Sequence, residues 1–303
     1  MKKHLALVLL ISALLTGCGD NSSNKNGLLS TADVKRVVLV GGSLISGMED
    51  HAFFEKAMIM YYPVGKTSFR NIGWPADDVF GLARSQFGSA QNTMSWQPPS
   101  AEEGFGSKKL MEHINNASPT TLIIGYGSEV AFIKGEEDLE LFKSGYNRLL
   151  DYAQEKKIKL VLLSPPRHEK NITALASHLT DSNAVRALLP ADLAPVEKRN
   201  EWLGKVRDFI KEQAGTRKHI FIDAYEHLVE NPDTQTYTEN GVQLNEAGYQ
   251  KLNEVLLKGL NIDQVKEFKI KIDQQGSVLG AENGKTSNWN KTLRGASFKF
   301  TPD

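Results

Sequence analysis

Apolar and polar positions along the chain alternate between two patterns. Five short apolar runs have the length of strands: RVVLV (36–40), TSFRNI (67–72), TTLIIGY (120–126), IKLVLLSP (158–165) and HIFIDA (219–224). They lack clean alternation, which suits strands buried on both faces of a parallel sheet. Between them the period lengthens. Over 136–157, Leu139, Phe142, Tyr146, Leu149, Leu150 and Ala153 recur at helical spacing. The stretch 197–215 repeats this with Trp202, Val206, Phe209 and Ile210 and is expected to stop at Gly215, and 245–260 reads as another helix. Strands alternating with helices predict an α/β protein, a three-layer α/β/α sandwich around a five-stranded parallel sheet, over residues 35–262. In such sheets ligands bind beyond the carboxyl ends of the strands, so the segments after Val40, Ile72, Tyr126, Pro165 and Ala224 should converge on one site.

The pattern changes at both ends. Beyond 263, EFKIKID (267–273) alternates strictly, GSVLGA (276–281) follows a Gln-Gly turn, and ASFKF (296–300) closes the chain. Residues 263–303 thus read as a small β-appendage with one wet face. At the other end, MKKHLALVLLISALLTGC has a basic start, an apolar stretch too short to span a bilayer comfortably, and Leu15-Thr16-Gly17-Cys18. These last residues resemble a bacterial lipobox, so residues 1–18 are expected to be a lipoprotein signal peptide, with Cys18, the sole cysteine, lipidated. The polar stretch 19–34 would then tether a folded domain to the membrane through that lipid anchor. Gly19 stands where some bacteria place an inner-membrane retention aspartate, which favours outer-membrane placement in the cell envelope, facing the periplasm or the cell surface.

Charge narrows the partners. The 303 residues carry 36 basic and 36 acidic side chains without a basic stripe, which argues against nucleic acid. The carboxylates Glu49, Asp50, Asp77, Asp78 and Glu129 raise the idea of a metal, but Asp77 and Asp78 are expected to open a helix, where acids favour the positive end of the dipole. No metal and no cofactor is expected.

The junction VVLVGGSLISG (37–47) carries the first chemical signal. Glycines at a strand end let the chain turn sharply and leave Ser43 at a helix start, either as a cap or as a nucleophile awaiting a base. Four further blocks follow in register with the strands: FRNIGWPADDVFG (69–81), GYGSEVAF (125–132), LLSPPRHE (162–169) and TENGVQLNEAGY (238–249). Together, over about residues 35–260, they resemble the SGNH, or GDSL-like, lipase and acylhydrolase superfamily with its flavodoxin-like fold.

That resemblance implies an ester hydrolase with Ser43 as nucleophile. Its oxyanion donors would be the N–H of Ser43, the N–H of Ala76 in place of a glycine, and the side chain at Glu129 in place of an asparagine. The orienting acid falls on Asn240 and the base on Gln243, and Gly42 replaces the usual aspartate. A carboxamide at Gln243 cannot take a proton from Ser43, and an ionised Glu129 would repel the developing oxyanion. His168 by position, Glu129 if its pKa is raised, and remotely His51 are the substitute bases. Trp74, Trp96, His168 and Arg167 are candidate ligand contacts, and the insertions 97–106 and 168–192 are candidate lids. Three functions stay open: an impaired relative that keeps a pocket for an acyl or carbohydrate ester, an active acyl or acetyl esterase using Ser43 with a non-standard base, and a purely structural envelope lipoprotein.

Overall fold

A computed structural model describes residues 28–62, 67–84, 105–132, 135–170, 195–229 and 236–262, with the strands 269–272, 278–282, 284–292 and 295–302. Of residues 105–107 and of those C-terminal strands, the backbone alone is described. Cys18, Trp96 and the bulk of both insertions, 97–104 and 171–192, lie outside the described residues.

The five expected strands form: β1 (Arg36–Gly41), β2 (Ser68–Asn71), β3 (Thr121–Gly125), β4 (Lys159–Leu163) and β5 (Ile220–Ile222). They build one sheet in the order β2-β1-β3-β4-β5, every pair parallel. The helices around it are α1 (Ser43–Ser46), α2 (Phe53–Tyr61), α3 (Phe105–Ala117), α4 (Glu136–Glu155), α5 (Val196–Arg217), α6 (Ala224–His227) and α7 (Glu246–Gly259).

Side chains of the three central strands alternate between two cores, which is why those runs are apolar throughout, whereas the edge strand β2 leaves Ser68 and Arg70 exposed and is not buried on both faces as its run predicts. Val37, Leu39, Ile123, Val161 and Leu163 meet Phe54 and Met58 of α2 and Leu252 and Leu256 of α7. Val38, Val40, Leu122, Ile124, Leu160 and Leu162 meet Leu110 and Ile114 of α3, Tyr146 and Leu149 of α4, and Val206 and Ile210 of α5. Each fully buried aliphatic side chain contributes about 1.5–3 kcal/mol, so both faces drive the three-layer arrangement.

Four local readings are corrected. Helix α5 runs through Gly215, with open space at its Cα, to Arg217, and ends on Lys218 in the left-handed conformation. Asp77 and Asp78 do not open a helix: they lie in turns that lead to a 3-10 turn at Leu82–Arg84. The α2 and α3 helices were not expected. In the appendage, β6 (Lys269–Ile272) pairs with β7 (Val278–Glu282), and β8 (Gly284–Thr292), an unexpected strand, pairs with β9 (Gly295–Pro302), both antiparallel. Among the described residues no helix is long and apolar enough to cross a membrane.

Candidate active site

Strand order reverses between β1 and β3, and the segments leaving these strands open the crevice where doubly wound sheets bind ligands. Ser43 leaves β1 there. It is exposed, and it does not cap its helix: Gly42 is the N-cap residue and Ser43 the first helical residue, with no side-chain cap bond. Its Oγ instead accepts a hydrogen bond from the Ala76 N–H at 2.9 Å. As the first residue of α1, Ser43 also has no intrahelical acceptor for its own N–H.

The turn that delivers Ala76 is pinned to the nucleophile turn from several sides. Trp74 N–H donates to the Gly41 carbonyl at 3.0 Å, and Asn71 Nδ2 donates to the Ile45 carbonyl at 2.6 Å. Ala76 sits at φ 58°, a left-handed conformation that suits the glycine it replaces and costs an alanine about 1 kcal/mol. A Cβ on Gly42 would lie 2.6 Å from the Asp77 carbonyl oxygen, so an aspartate at position 42 has no room.

Beneath this turn lies a polar network that sequence reasoning missed. Buried Arg84 donates from Nε to Asp77 Oδ2 at 2.6 Å and from Nη2 to the Ile72 carbonyl at 2.6 Å. Its Nη1 lies 3.1 Å from His113 Nδ1, and Tyr126 O–H donates to Asp77 at 2.8 Å. The pair is fully desolvated and satisfied on both sides, which gives it orientation more than net stability. Asp78, whose Oδ1 accepts from the Phe80 and Leu82 N–H groups, is pushed up to about 6, chiefly by burial.

Glu129 does not reach Ser43. Its Oε2 accepts from the Gly127 N–H at 2.8 Å, and its buried Oε1 has no partner. Burial first, and then the charges of Asp78 and Asp77, push its pKa up to about 8. At neutral pH its dominant form is therefore the uncharged acid, which removes the expected repulsion of an oxyanion.

The base and acid positions come together without basic chemistry. Asn240 Oδ1 accepts from the Val242 and Gln243 N–H groups at 3.1 and 2.8 Å, and its Nδ2 donates to Gln243 Oε1 at 3.3 Å. The loop is held from below by Glu169, a residue that sequence reasoning passed over. This buried carboxylate accepts from the Tyr237 N–H at 2.7 Å, the Thr238 N–H at 3.0 Å and the Thr238 hydroxyl.

The other candidates are otherwise engaged. His168 is buried, its Nδ1 takes a hydrogen bond from Arg199 Nη1 at 2.9 Å, and burial together with that cation lowers its pKa to about 3. Arg167 stacks on Tyr225 at 4.1 Å and binds the Tyr225 carbonyl and Glu226. His51 stacks on Phe53 and meets the Tyr249 ring at a tilt. Trp74 remains exposed next to the Ala76 turn. A cavity of about 420 Å³ lined by His227, Lys251, Glu254, Val255, Lys258 and Ile262, among others, shares no residue with this site. Among the described residues no group of three or more His, Cys, Asp or Glu is placed to hold a metal ion.

An acetylxylan esterase from Geobacillus stearothermophilus, solved as a catalytic mutant, superimposes with a TM-score of 0.51 at 12% identity, over 78% of this chain and 100% of that one. The fold is that of the SGNH esterases. A gut microbial diltiazem-metabolizing enzyme gives a TM-score of 0.50 at 15% identity, over 90% of this chain and 59% of that one. A GDSL-like lipase from Bacteroides thetaiotaomicron gives 0.49 at 16% identity, over 75% and 87%. No family model and no curated protein sequence matches the chain.

The geometry places the Ser43 hydroxyl against the Ala76 N–H, at the start of a helix whose first N–H groups have no intrahelical acceptor. Among the described residues it offers Ser43 no proton acceptor: the one hydrogen bond at Oγ is received from Ala76.

Proposed function

We propose that the chain is a catalytically impaired member of the SGNH esterase superfamily, a lipid-anchored envelope protein that keeps a pocket for an acyl or carbohydrate ester. The observation that carries this reading is the state of Ser43: its Oγ receives the Ala76 N–H, while the side chain in the base position, Gln243, is a carboxamide bonded to Asn240. None of the three substitute bases is bonded to Ser43, and His51 packs against Phe53 and Tyr249. His168 accepts from Arg199, and Glu129 accepts from the Gly127 N–H. Loss of a triad member typically costs on the order of 10⁴ to 10⁶ in rate.

Ligand binding is supported separately. Trp74 is 44% exposed at the serine turn, an aromatic surface of the kind that packs against a sugar, and an acetylxylan esterase shares the fold. The Cys18 lipobox and the polar tether support the membrane anchor and envelope placement.

The test is intact mass after incubating residues 27–303 with a fluorophosphonate, beside Ser43→Ala and the pair Asn240→Asp, Gln243→His. The expected result is no adduct on the wild type and a stoichiometric adduct on the pair. An adduct on the wild type that Ser43→Ala abolishes overturns the reading in favour of an active esterase. A pair that stays unlabelled sinks the claim that the pocket geometry survives.

A further inference from the structure

We infer that Arg199 and His168 form a recognition site for a carboxylate on the ligand. Arg199 is 2% exposed and is among the largest fully buried side chains of the protein. Among the described residues no carboxylate is bonded to its guanidinium. Its side chain makes one hydrogen bond among those residues, from Nη1 to His168 Nδ1, and its buried Nε–H has no partner there. Glu197, the acid whose charge acts on it, is engaged with Lys170 at 3.2 Å. A buried guanidinium with an open edge is costly to maintain, and a fold normally supplies a carboxylate for it.

His168 adds a second donor. Because Arg199 can only donate, Nδ1 of the ring must accept, which places the ring proton on Nε2. That N–H makes no hydrogen bond within the described structure, and the ring is 4% exposed. Phe132, which is 49% exposed, stands over both groups, 5.4 Å from the His168 ring and 6.0 Å from the Arg199 guanidinium carbon. The three residues come from the turn after β3, the segment after β4 and the start of α5. They therefore lie at the carboxyl edge of the sheet, the same edge that presents Ser43.

The donor set selects a carboxylate over a phosphate. One guanidinium edge matches the two oxygens of a carboxylate side-on, and a single cation balances its one charge but not the two of a phosphate. Here the neighbouring cations Lys170 and Lys198 are bridged to Glu197 and Glu201. The exposed Phe132 ring adds an apolar surface for the body of a sugar or an acyl chain. The inference rests on reading this edge as ligand-binding, and it does not depend on whether Ser43 reacts.

The test follows the Arg199 Nε–H correlation in the purified chain carrying ¹⁵N-arginine while D-glucuronate, hexanoate, D-glucose or inorganic phosphate is added. Arg199→Lys, which keeps the charge, assigns the signal by its disappearance. Should that variant fail to fold, through-bond correlations assign the signal and the wild-type titration still decides. The expected result is a saturable shift of the Arg199 Nε–H signal with a carboxylate and none with glucose or phosphate. A shift with glucuronate alone assigns an acidic sugar, with hexanoate alone a fatty acid, and with both the carboxylate itself. A signal unmoved by either carboxylate, or moved equally by glucose or phosphate, overturns the inference. Serine labelling is read separately, so failure here leaves the reading of Ser43 standing or falling on its own result.

Discussion

Replacing Glu129 with glutamine tests the electrostatics of the site directly. The glutamine keeps the shape and the acceptor for the Gly127 N–H but removes the titration. In the folded chain burial raises the carboxyl from 4.5 to about 8, so the folded state holds its proton where the unfolded state has released it. The folded pKa is the higher one, so this contribution to stability is complete below pH 4.5 and is lost as pH rises through 8. Integrated over pH 7 to 8.5, the loss amounts to about 1.3 kcal/mol, an upper figure because the side chain is only partly shielded from water. Asp78, raised to about 6, has largely finished titrating by pH 7, and the histidines contribute equally to both proteins. Urea denaturation of wild type and Glu129→Gln at pH 7, 7.5, 8 and 8.5 isolates the difference. The stability of the variant relative to wild type should grow steadily across the series. A difference that stays constant, or shrinks, would refute the burial argument and return a charged Glu129 to the site.

Ala76→Gly relieves the left-handed alanine at φ 58° and should leave stability unchanged or raise it by up to about 1 kcal/mol in urea denaturation, whereas a loss larger than that contradicts the strain. Gly42→Asp, which places there the aspartate usual in SGNH hydrolases, should destabilise by about 1–3 kcal/mol, because its Cβ meets the Asp77 carbonyl oxygen at 2.6 Å; a neutral result in thermal unfolding would show that the turn yields freely. Glu169→Ala should lower stability by about 3 kcal/mol and speed hydrogen exchange at Tyr237 and Thr238, whose N–H groups lose their acceptor, and unchanged exchange there would remove Glu169 as the anchor of the Asn240 loop. With its pKa lowered to about 3, the His168 ring should remain neutral down to pH 4 in ¹⁵N spectra, and protonation near pH 6 would contradict the contact with Arg199.

The centre of the sheet was legible because both faces of β1, β3 and β4 are buried. Apolar runs such as VVLV and TLII have no polar face to show, and all five strands lie where those runs predict, within a residue or two. The position of Ser43 was legible too, since the glycine pair ends β1 and leaves the serine exposed at the start of α1. Its bonding was not. A serine after a strand has the same local sequence whether its hydroxyl caps a helix or accepts from Ala76, a residue 33 positions away.

Covalent identity alone determined that Asn240 and Gln243 cannot relay a proton, because no fold gives a carboxamide a basic nitrogen. Only the tertiary structure decided the states of Glu129 and His168. A carboxyl pushed to about 8 and an imidazole lowered to about 3 are products of burial and of neighbours brought from other strands and helices. Desolvation acts through the whole surrounding volume, and that volume is assembled by residues far apart in the chain. The unpartnered Nε of Arg199 is of the same kind: the sequence shows an arginine on a helix, and the fold strips it of water while no carboxylate among the described residues is bonded to it.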